Sequence, residues 1–419
     1  MTSLSKKAIS VLDKTAKNAV KPTSCELRYG AQNYKPFDLN IIRATGVFMF
    51  DKTGRRYFDY LAGYSSVNQG HCNIHIVNKA YQQMQQLTMT SRAFTNDKLG
   101  DYFEFMCKTF NYDSIMPTNT GVEAGECAVK LARLWGYKEK GVEENEAVVV
   151  FAKNNFWGRS IAAISSSSDP SCYKHFGPYT PGFDMVPYNN VEALEDKFKS
   201  NPNIVAYMLE PIQGEAGIII PDRHYLSRVQ TLCQKYKVLL IADEVQTGLG
   251  RTGKMFACDH SSVKPNMLLL GKALSGGLFP ISCVLADNSI MKHMKPGMHG
   301  STFAGNPLSA AVAKASVEYT ITRNLPQNSQ KYGLYFRSEL QRIMSLYPYI
   351  RDIRGKGLMN AIECENEKTA SRLVNVLRHN NILTKTTHAT TLRMTPPLVI
   401  SQNELDESLG EIEKSFKIV

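Results

Sequence analysis

Short apolar runs alternate with helical patterns through the middle of the chain. Five of these runs have the length of strands: Val148–Ala152, Ile204–Leu209, Val238–Ala242, Met267–Leu270 and Ile281–Ala286. Between them, apolar residues recur at helical spacing, most clearly at Leu226, Val229, Cys233 and Tyr236. Continuous apolar strands alternating with helices predict an α/β fold, in which a mostly parallel central sheet carries helices on both faces.

From about residue 310 the pattern changes to that of a smaller α+β region. A helix predicted over Ala310–Tyr319 is followed by a breaker, Arg323-Asn-Leu-Pro326, where we place a domain boundary. The later elements are a helix with one apolar face, a pair of strands and a capped last helix: Ala370, Leu373, Val374 and Leu377; Ile382–Thr384 and Leu392–Thr395; Ser401-x-x-Glu404. We expect an N-terminal segment (1–64), a large cofactor-binding domain (65–320) and a small C-terminal domain (321–419).

Composition and charge exclude several classes of protein. Hydrophobic residues make up 43% of the 419 residues and charged residues 21%, as in ordinary globular chains. No stretch approaches the roughly 18 apolar residues of a membrane helix. The net charge of +11 is scattered and is not interleaved with aromatic residues, so we expect neither a membrane nor a nucleic acid as partner. The nine cysteines form no Cys-x-x-Cys pair, which favours reduced thiols.

The N-terminus leaves the compartment open. Residues 1–21 carry five lysines, one acid and an apolar stripe, which fits either a mitochondrial presequence or a solvated helix. Mitochondrial presequences are rich in arginine, but no arginine occurs before Arg28. We expect the cytoplasm or the mitochondrial matrix, with the cytoplasm slightly favoured.

Two motifs resemble ligand sites only superficially. The run Gly248-Leu-Gly-Arg-Thr-Gly-Lys254 is followed by Met255, which cannot supply the hydroxyl of a P-loop, and no acid lies where a dinucleotide fingerprint needs one. We interpret it as a flexible glycine-rich turn. His71 and His75 lack a third ligand in context, so we predict no metal site.

Polar residues follow three of the predicted strands, where ligands of parallel sheets collect. They are Glu210, Asp243 and Lys272. A lysine that attaches a carbonyl and an acid that pairs with a pyridine nitrogen are the two groups that pyridoxal phosphate requires. The turn Asn119-Thr-Gly-Val-Glu-Ala124 opens a helix whose N–H groups suit a phosphate, and Phe156 supplies an aromatic face.

The motifs resemble those of the class III pyridoxal-phosphate-dependent aminotransferases of fold type I, and among them the ornithine aminotransferases. The matching motifs span residues 29 to 397: Tyr29-Gly-Ala-Gln-Asn-Tyr34, Tyr64-Ser-Ser-Val-Asn-Gln-Gly-His71, Asn119-Thr-Gly-Val-Glu-Ala124, Asn155-Phe-Trp-Gly-Arg159, Glu210-Pro-Ile-Gln-Gly-Glu215-Ala-Gly217, Ala242-Asp-Glu-Val-Gln246 through Gly253, Leu270-Gly-Lys-Ala-Leu-Ser-Gly-Gly277, His299-Gly-Ser-Thr302 and Leu392-Arg-Met-Thr-Pro-Pro397. Cys72-Asn-Ile74 and Ala304 depart from the pattern without touching a proposed role.

The resemblance implies pyridoxal 5′-phosphate as cofactor and a role for each motif residue. Lys272 would attach the cofactor and move the proton, and Asp243 would pair with the ring nitrogen. The remaining cofactor contacts implied are Gln246 to the ring hydroxyl, Phe156 to the ring face, Gly121 and Val122 to the phosphate, and Ser301 and Thr302 to the phosphate of the partner subunit. The last pair implies a homodimer, or a larger assembly, with shared active sites.

The resemblance also implies how one site takes two amines. Arg159 would hold the distal carboxylate in both half-reactions, whereas Arg393 would hold the α-carboxylate of glutamate or 2-oxoglutarate. Glu215 would cover Arg393 while ornithine is bound, and Tyr34 would take the ornithine α-amine. Tyr64 completes the predicted substrate contacts.

The implied reaction is transfer of the δ-amino group of L-ornithine to 2-oxoglutarate, giving glutamate 5-semialdehyde (hence pyrroline-5-carboxylate) and glutamate, a step of arginine and proline metabolism. An aminotransferase for N-acetylornithine or 4-aminobutyrate is the nearest alternative, which Tyr34 disfavours because these amines lack a free α-ammonium group. A nucleotide-binding protein and a non-catalytic scaffold are the alternatives from other classes.

Overall fold

The computed structural model describes residues 24–419, and the prediction about residues 1–21 lies outside this range. The strands are β1 Ile41–Thr45, β2 Phe48–Asp51, β3 Arg56–Asp59, β4 Ser114–Thr118, β5 Val148–Ala152, β6 Phe183–Val186, β7 Ile204–Leu209, β8 Leu239–Asp243, β9 Met267–Leu270, β10 Ser282–Ala286, β11 Ile350–Lys356, β12 Met359–Cys364, β13 Ile382–Leu383, β14 Thr386–Thr387 and β15 Thr391–Met394. The α-helices are α1 Ser24–Tyr29, α2 Ala62–Ser65, α3 Ile74–Met84, α4 Asp97–Phe110, α5 Gly121–Trp135, α6 Ile161–Ser165, α7 Pro170–Tyr173, α8 Val191–Ser200, α9 Tyr225–Lys235, α10 Asn288–Met291, α11 Pro307–Thr322, α12 Leu325–Met344, α13 Glu367–His379 and α14 Gln402–Ile418.

The central sheet has seven strands in the order β4-β10-β9-β8-β7-β5-β6. Strands β5 to β9 run parallel to one another, which confirms the predicted α/β class with a mostly parallel sheet. The last predicted strand, Ile281–Ala286, does not continue the parallel pattern, because β10 runs antiparallel to both β9 and β4. Only residues 271–281 link β9 to β10, which is too short for a crossover helix. The edge strands β4 and β6 escaped prediction because Pro117 and Asp184 interrupt their apolar runs.

The central sheet is buried on both faces, as its apolar strands predict. All six residues of β7 are buried. Tyr207 and Leu209 pack into one hydrophobic cluster, which includes side chains of α3, α4 and α9. Ala206 and Met208 point to the opposite side and pack into a second cluster, which includes α5. This two-sided burial explains why the strands appear as continuous apolar runs.

Two four-stranded sheets lie outside the central sheet. One has the order β11-β12-β15-β14, and the other joins N-terminal strands to the C-terminal region in the order β1-β2-β3-β13. Both predicted strands, Ile382–Thr384 and Leu392–Thr395, are present, but they lie in different sheets. Ile382 pairs with Phe58 in β3, while β15 pairs with β12 and β14. Burial of Ile382 in the same cluster as Phe58 accounts for the difference.

The C-terminal helices match their predictions. Helix α13 buries Ala370, Leu373, Val374 and Leu377. Helix α14 begins at a complete capping box between Ser401 and Glu404. The N-terminal strands share a hydrophobic cluster with these helices, and the division of the chain after residues 64 and 320 stays a prediction.

The glycine-rich run 248–254 forms a turn, but it is not a solvated one. Arg251 within it is fully buried and donates to Asn68 Oδ1 (3.2 Å from Nε), to Leu358 O (3.0 Å) and to Pro396 O (2.6 Å). The turn thus ties the central sheet to the C-terminal region.

Candidate active site

Three polar residues meet at the carboxyl ends of neighbouring strands. Asp243 is the last residue of β8, Glu210 follows β7 directly, and Lys272 lies two residues after β9. Because β7, β8 and β9 are adjacent and parallel, their carboxyl ends lie side by side. The sequence prediction that these positions form one site agrees with this arrangement.

Burial shifts the pKa values of Asp243 and Lys272 so that the neutral form of each side chain is favoured. It raises the pKa of Asp243 to about 6, although the Val245 N–H donates to its carboxylate (3.0 Å) and Lys272 lies nearby. Burial likewise lowers the pKa of Lys272, against the charges of Glu215 and Asp243. Shifted pKa values of this kind are typical of functional sites.

Glu210 is a buried carboxyl group that links two loops of the site. It accepts hydrogen bonds from the Phe156 N–H and from the Gly214 N–H, each at 3.0 Å. Burial, and after it the charge of Asp243, raises the pKa of Glu210 to about 8. Its side chain therefore holds the segment that carries Phe156 against the segment that carries Glu215.

The predicted phosphate turn is the N-terminus of α5. Thr120 caps this helix in a capping box with Glu123. The first N–H groups of a helix have no partner within it, so those of Gly121 and Val122 are available to an anion. A Cβ atom at Gly121 would lie 3.0 Å from Val245 Cγ1, so the turn approaches the end of β8 closely.

Ser301 lies beside the phosphate turn of its own chain. Its hydroxyl accepts a hydrogen bond from Asn119 Nδ2 at 2.8 Å. Both Ser301 and Thr302 are exposed. Their contact with a partner subunit's cofactor stays a prediction.

The described residues fit pyridoxal phosphate. A half-buried amine, a buried carboxyl group with a raised pKa and a capped helix N-terminus lie at one edge of the sheet. The amine of Lys272 matches the aldehyde, the carboxyl of Asp243 matches the ring nitrogen, and the helix terminus matches the phosphate.

A cavity of about 350 Å³ opens beside Phe156 and Glu215. It is lined by residues that include Phe156, Arg159, Asp169, Glu215 and His388. The guanidinium carbon of Arg159 lies 5.7 Å from the centre of the Phe156 ring. An exposed arginine at such a cavity can bind a carboxylate.

Arg393 and Glu215 form an ion pair at the inner wall of the site. Arg393 Nη2 lies 2.7 Å from Glu215 Oε1, and the side chain of Arg393 is 3% exposed against 32% for Glu215. Gln246 contacts both: its Oε1 accepts from Arg393 Nη1 (3.1 Å), and its Nε2 donates to Glu215 (3.2 Å). The hydrogen bond of Gln246 to the ring hydroxyl of the cofactor stays a prediction. The guanidinium carbon of Arg393 lies 5.4 Å from the centre of the Tyr64 ring.

The remaining candidates are Tyr34 and the two histidines, His71 and His75. Tyr34 is 73% exposed, and its contact with substrate stays a prediction. His71 pairs with Asp59 (2.8 Å), and His75 is exposed. Within residues 24–419, no group of three His, Cys, Asp or Glu side chains could hold a metal ion. Nor does any helix in that range have the length and apolarity to cross a membrane.

The family model for class III aminotransferases matches residues 29–416. The chain belongs to the class III aminotransferase family. The matched range includes all the motifs that carried the resemblance, and the match confirms the family and its fold.

Relatives within the class III aminotransferase family are similar over nearly their whole lengths. The mitochondrial ornithine aminotransferase of Rattus norvegicus is 49% identical over 397 residues, which cover 93% of this chain and 89% of the relative. The crystal structure of ornithine aminotransferase from Toxoplasma gondii ME49 has a TM-score of 0.92 at 43% identity and covers 94% of each chain. Acetylornithine aminotransferase from Elizabethkingia anophelis has a TM-score of 0.87 at 43% identity and covers 94% of this chain and 97% of that one.

Two residues of this class III aminotransferase received no role from the sequence. Glu210 was singled out as a strand end, yet its bonds to the Phe156 and Gly214 N–H groups join segments about 60 residues apart. Val245 lies against Gly121 and Gly271, and only the spacing Asp-x-Val at the end of β8 could have indicated it.

Proposed function

We propose that the chain is a pyridoxal-phosphate-dependent aminotransferase that transfers the δ-amino group of L-ornithine to 2-oxoglutarate. The products are glutamate and glutamate 5-semialdehyde, which cyclises to pyrroline-5-carboxylate. The names and the extent of the similar proteins support this substrate pair.

The ion pair between Glu215 and Arg393 carries the proposal. An enzyme that takes a terminal amine from one substrate and an α-amine from the other needs two carboxylate anchors at different distances. Arg393 is buried, while Glu215, 32% exposed, can turn toward water. Glutamate then displaces Glu215 from Arg393, and ornithine, which reaches only Arg159, leaves the pair closed.

The other site residues have distinct roles in this proposal. Bound pyridoxal phosphate supplies the electron sink that stabilises a carbanion. Asp243 keeps the ring nitrogen protonated, and Lys272 holds the cofactor and moves the proton at the reacting carbon. Arg159 binds the distal carboxylate of either substrate. Tyr34 accepts a hydrogen bond from the ornithine α-ammonium group, and Tyr64 packs beside Arg393.

We further propose a homodimer, or a larger assembly, whose active sites are shared. Ser301 and Thr302 lie exposed beside the phosphate turn, and the neighbouring Phe303 is 63% exposed. A partner subunit that covered this surface would bring its own Ser301 and Thr302 to the opposite phosphate. Sedimentation of the holoenzyme tests the assembly, and a purely monomeric enzyme with full activity would contradict it.

The location we propose is the cytoplasm or the mitochondrial matrix. The rat relative carries a mitochondrial name, whereas residues 1–21 lack arginine. Fractionation of cells, with N-terminal sequencing of the mature protein, decides between the two.

An acetylornithine aminotransferase is the second candidate, because such a protein is also similar over 94% of the chain. Tyr34 separates the two candidates. A phenol that accepts from a free α-ammonium forms a charge-assisted hydrogen bond, which the acetylated amine cannot offer.

The test is kcat/KM for ornithine, N-acetylornithine and 4-aminobutyrate with 2-oxoglutarate. Ornithine should be preferred, and Tyr34→Phe should shrink its margin by about one to two orders of magnitude, the scale of one charged hydrogen bond. Tyr29→Phe, at an exposed tyrosine of the same segment, is the control. A wild type that prefers N-acetylornithine, or a margin untouched by Tyr34→Phe, would contradict the ornithine proposal.

A further inference from the structure

Two arginines stand side by side on the small antiparallel sheet. Arg354 of β11 is paired with Ala361 of β12, and Ala361 is in turn paired with Arg393 of β15. Directly paired residues of antiparallel strands project from the same face. Arg354 and Arg393 therefore flank Ala361 on one face, about 10 Å apart at their backbones, which is two strand spacings.

Both arginines contact one segment of the large domain, residues 214–218, which we call the carbonyl segment. Side chains of the small sheet donate to its main-chain oxygens at four positions: Arg393 Nη2 to Gly214 O (3.3 Å), Thr387 Oγ1 to Glu215 O (2.5 Å), Arg354 Nη2 to Gly217 O (2.6 Å) and Arg354 Nε to Ile218 O (3.2 Å). The segment that carries Glu215 is thus held along its length by the sheet that carries Arg393.

Arg354 is itself fixed in place by carboxylates. Its Nη2 lies 2.9 Å from Glu363 Oε2, and its Nη1 lies 2.9 Å from Asp352 Oδ2. Thr391 Oγ1 also donates to Glu363 (2.6 Å). A guanidinium group held on two sides presents its donors to the carbonyl segment in a fixed geometry.

The carbonyl segment needs such support because its backbone is strained. Ile218 is fully buried and has φ = +56°, a value that a β-branched residue rarely adopts. Its side chain packs with Met359 and Ala361, between the two arginines. Conformations of this kind persist only where surrounding contacts determine them.

We propose that Arg354 is a positioning residue for the exchange of Glu215 on Arg393. By holding Gly217 O and Ile218 O, it fixes the main chain next to Glu215 against the sheet that carries Arg393. Only the Glu215 side chain then moves when a substrate carboxylate displaces it, and it returns to the same place afterwards. The inference rests on the proposed function in that it assumes this exchange.

The first experiment measures single-turnover rates of the two half-reactions with the holoenzyme. Arg354→Gln should slow the ornithine half-reaction about tenfold, the scale of one charged hydrogen bond, and leave the glutamate half-reaction within about twofold. Arg354→Lys, which keeps a charged donor, should recover part of the loss. Arg351→Gln is the matched control, because Arg351 lies on the same strand and pairs with Glu365 (3.5 Å) at the surface.

A double mutant separates positioning from a general structural effect. If Arg354 acts through Glu215, Arg354→Gln should add no further change to the ratio of half-reaction rates in a Glu215→Ala background. An equal slowing of both half-reactions, or full additivity with Glu215→Ala, would overturn the proposal.

Binding of glutarate provides a readout that does not depend on ornithine turnover. Glutarate offers a carboxylate to Arg393 but has no amine, so Arg354→Gln should lower its Kd several-fold by loosening the competing Glu215. An unchanged or raised Kd would overturn the proposal. If the wild type were inactive on ornithine but Arg354→Gln still lowered the Kd for glutarate, only the proposed function would be contradicted.

Thr387→Val serves if Arg354→Gln does not fold. It removes the hydroxyl that donates to Glu215 O and leaves Arg354 in place. It should shift the ratio of half-reaction rates and the glutarate Kd in the same direction, and Thr387→Ser should restore both. If Thr387→Val left both quantities at their wild-type values, the holding of the segment would have no role in the exchange.

Discussion

Two acid–base combinations belong to the site, Asp243 with Lys272 and Glu215 with Arg393, and they are built differently. Asp243 and Lys272 both come from strand ends of the central sheet, where Asp243 is buried and Lys272 is half-buried. Glu215 and Arg393 come from different sheets, and only the arginine is buried. One pair is fixed by the central sheet, and the other joins two parts of the molecule.

The difference in burial indicates which chemical role suits each pair. Burial raises the pKa of Asp243 and lowers that of Lys272, which favours the neutral form of each, as is typical of functional sites. Removing a carboxylate from a fully buried pair is strongly unfavourable, whereas a carboxylate near water leaves at modest cost. The first pair therefore suits chemistry, and the second suits exchange.

Arg251 shows that this fold holds a buried arginine without a carboxylate in direct contact. Its donors are satisfied by Asn68, Leu358 O and Pro396 O, and burial lowers its pKa to about 9. Arg393 likewise keeps Gln246 Oε1 and Gly214 O as acceptors. Glu215 can therefore leave without stranding the charge of Arg393, which supports the exchange.

Replacing the lysine of the fixed pair should have the largest effect. Lys272→Ala should abolish turnover and leave the fold intact, because it removes the amine that would attach the cofactor. Lys254→Ala, in the glycine-rich turn, is the control. Borohydride reduction of the wild type followed by peptide mapping checks the assignment, and a label on another lysine would refute it.

Replacing the acid of the fixed pair should reduce turnover without abolishing it. Asp243→Asn keeps the shape but removes the charge that stabilises the protonated ring nitrogen, so we expect a loss of about 10²-fold or more in kcat. Asp196→Asn, at an exposed acid, should change nothing. Near-wild-type turnover of Asp243→Asn would show that the fixed pair is only structural.

The same variant tests the burial of Asp243 through stability. Since its folded pKa of about 6 lies above the ordinary value of 3.8, the native state keeps a proton that the unfolded state loses between these pH values. The contribution of Asp243 to stability is thus present below pH 3.8 and lost as pH rises through about 6. In cofactor-free protein, Asp243→Asn should gain on the order of 2 kcal/mol relative to wild type between pH 4 and 7. Urea denaturation measures it, and a pH-independent difference would contradict the burial.

The fixed pair was predictable from the sequence, because strand ends are local features. The apolar runs before Asp243 and Lys272 place them at the carboxyl ends of neighbouring strands, and the structure has β8 and β9 adjacent there. The turn at Gly121 was also predictable from the sequence, since a glycine directly after the N-cap residue Thr120 is a local signal.

The surroundings of the second pair were not predictable from local pattern. Arg393 meets Glu215 through a sheet in which β15 pairs with β12, a partner that the sequence pattern did not indicate. The register that sets Arg354 beside Arg393 depends on long-range pairing, and no spacing along the chain reveals it. The contact of Glu215 with Arg393 was expected from the resemblance alone.

Glu215→Ala tests most directly whether the second pair is an exchangeable one. Single-turnover rates with ornithine and with glutamate should be measured for wild type and variant, with Glu192→Ala as a control at an exposed acid. We expect the rate of the glutamate half-reaction to hold or rise and the rate of the ornithine half-reaction to fall about tenfold. The reason is that Arg393 stays uncovered when the Glu215 carboxylate is removed. Equal slowing of both half-reactions would show that Glu215 is a structural partner of Arg393 and would contradict the account.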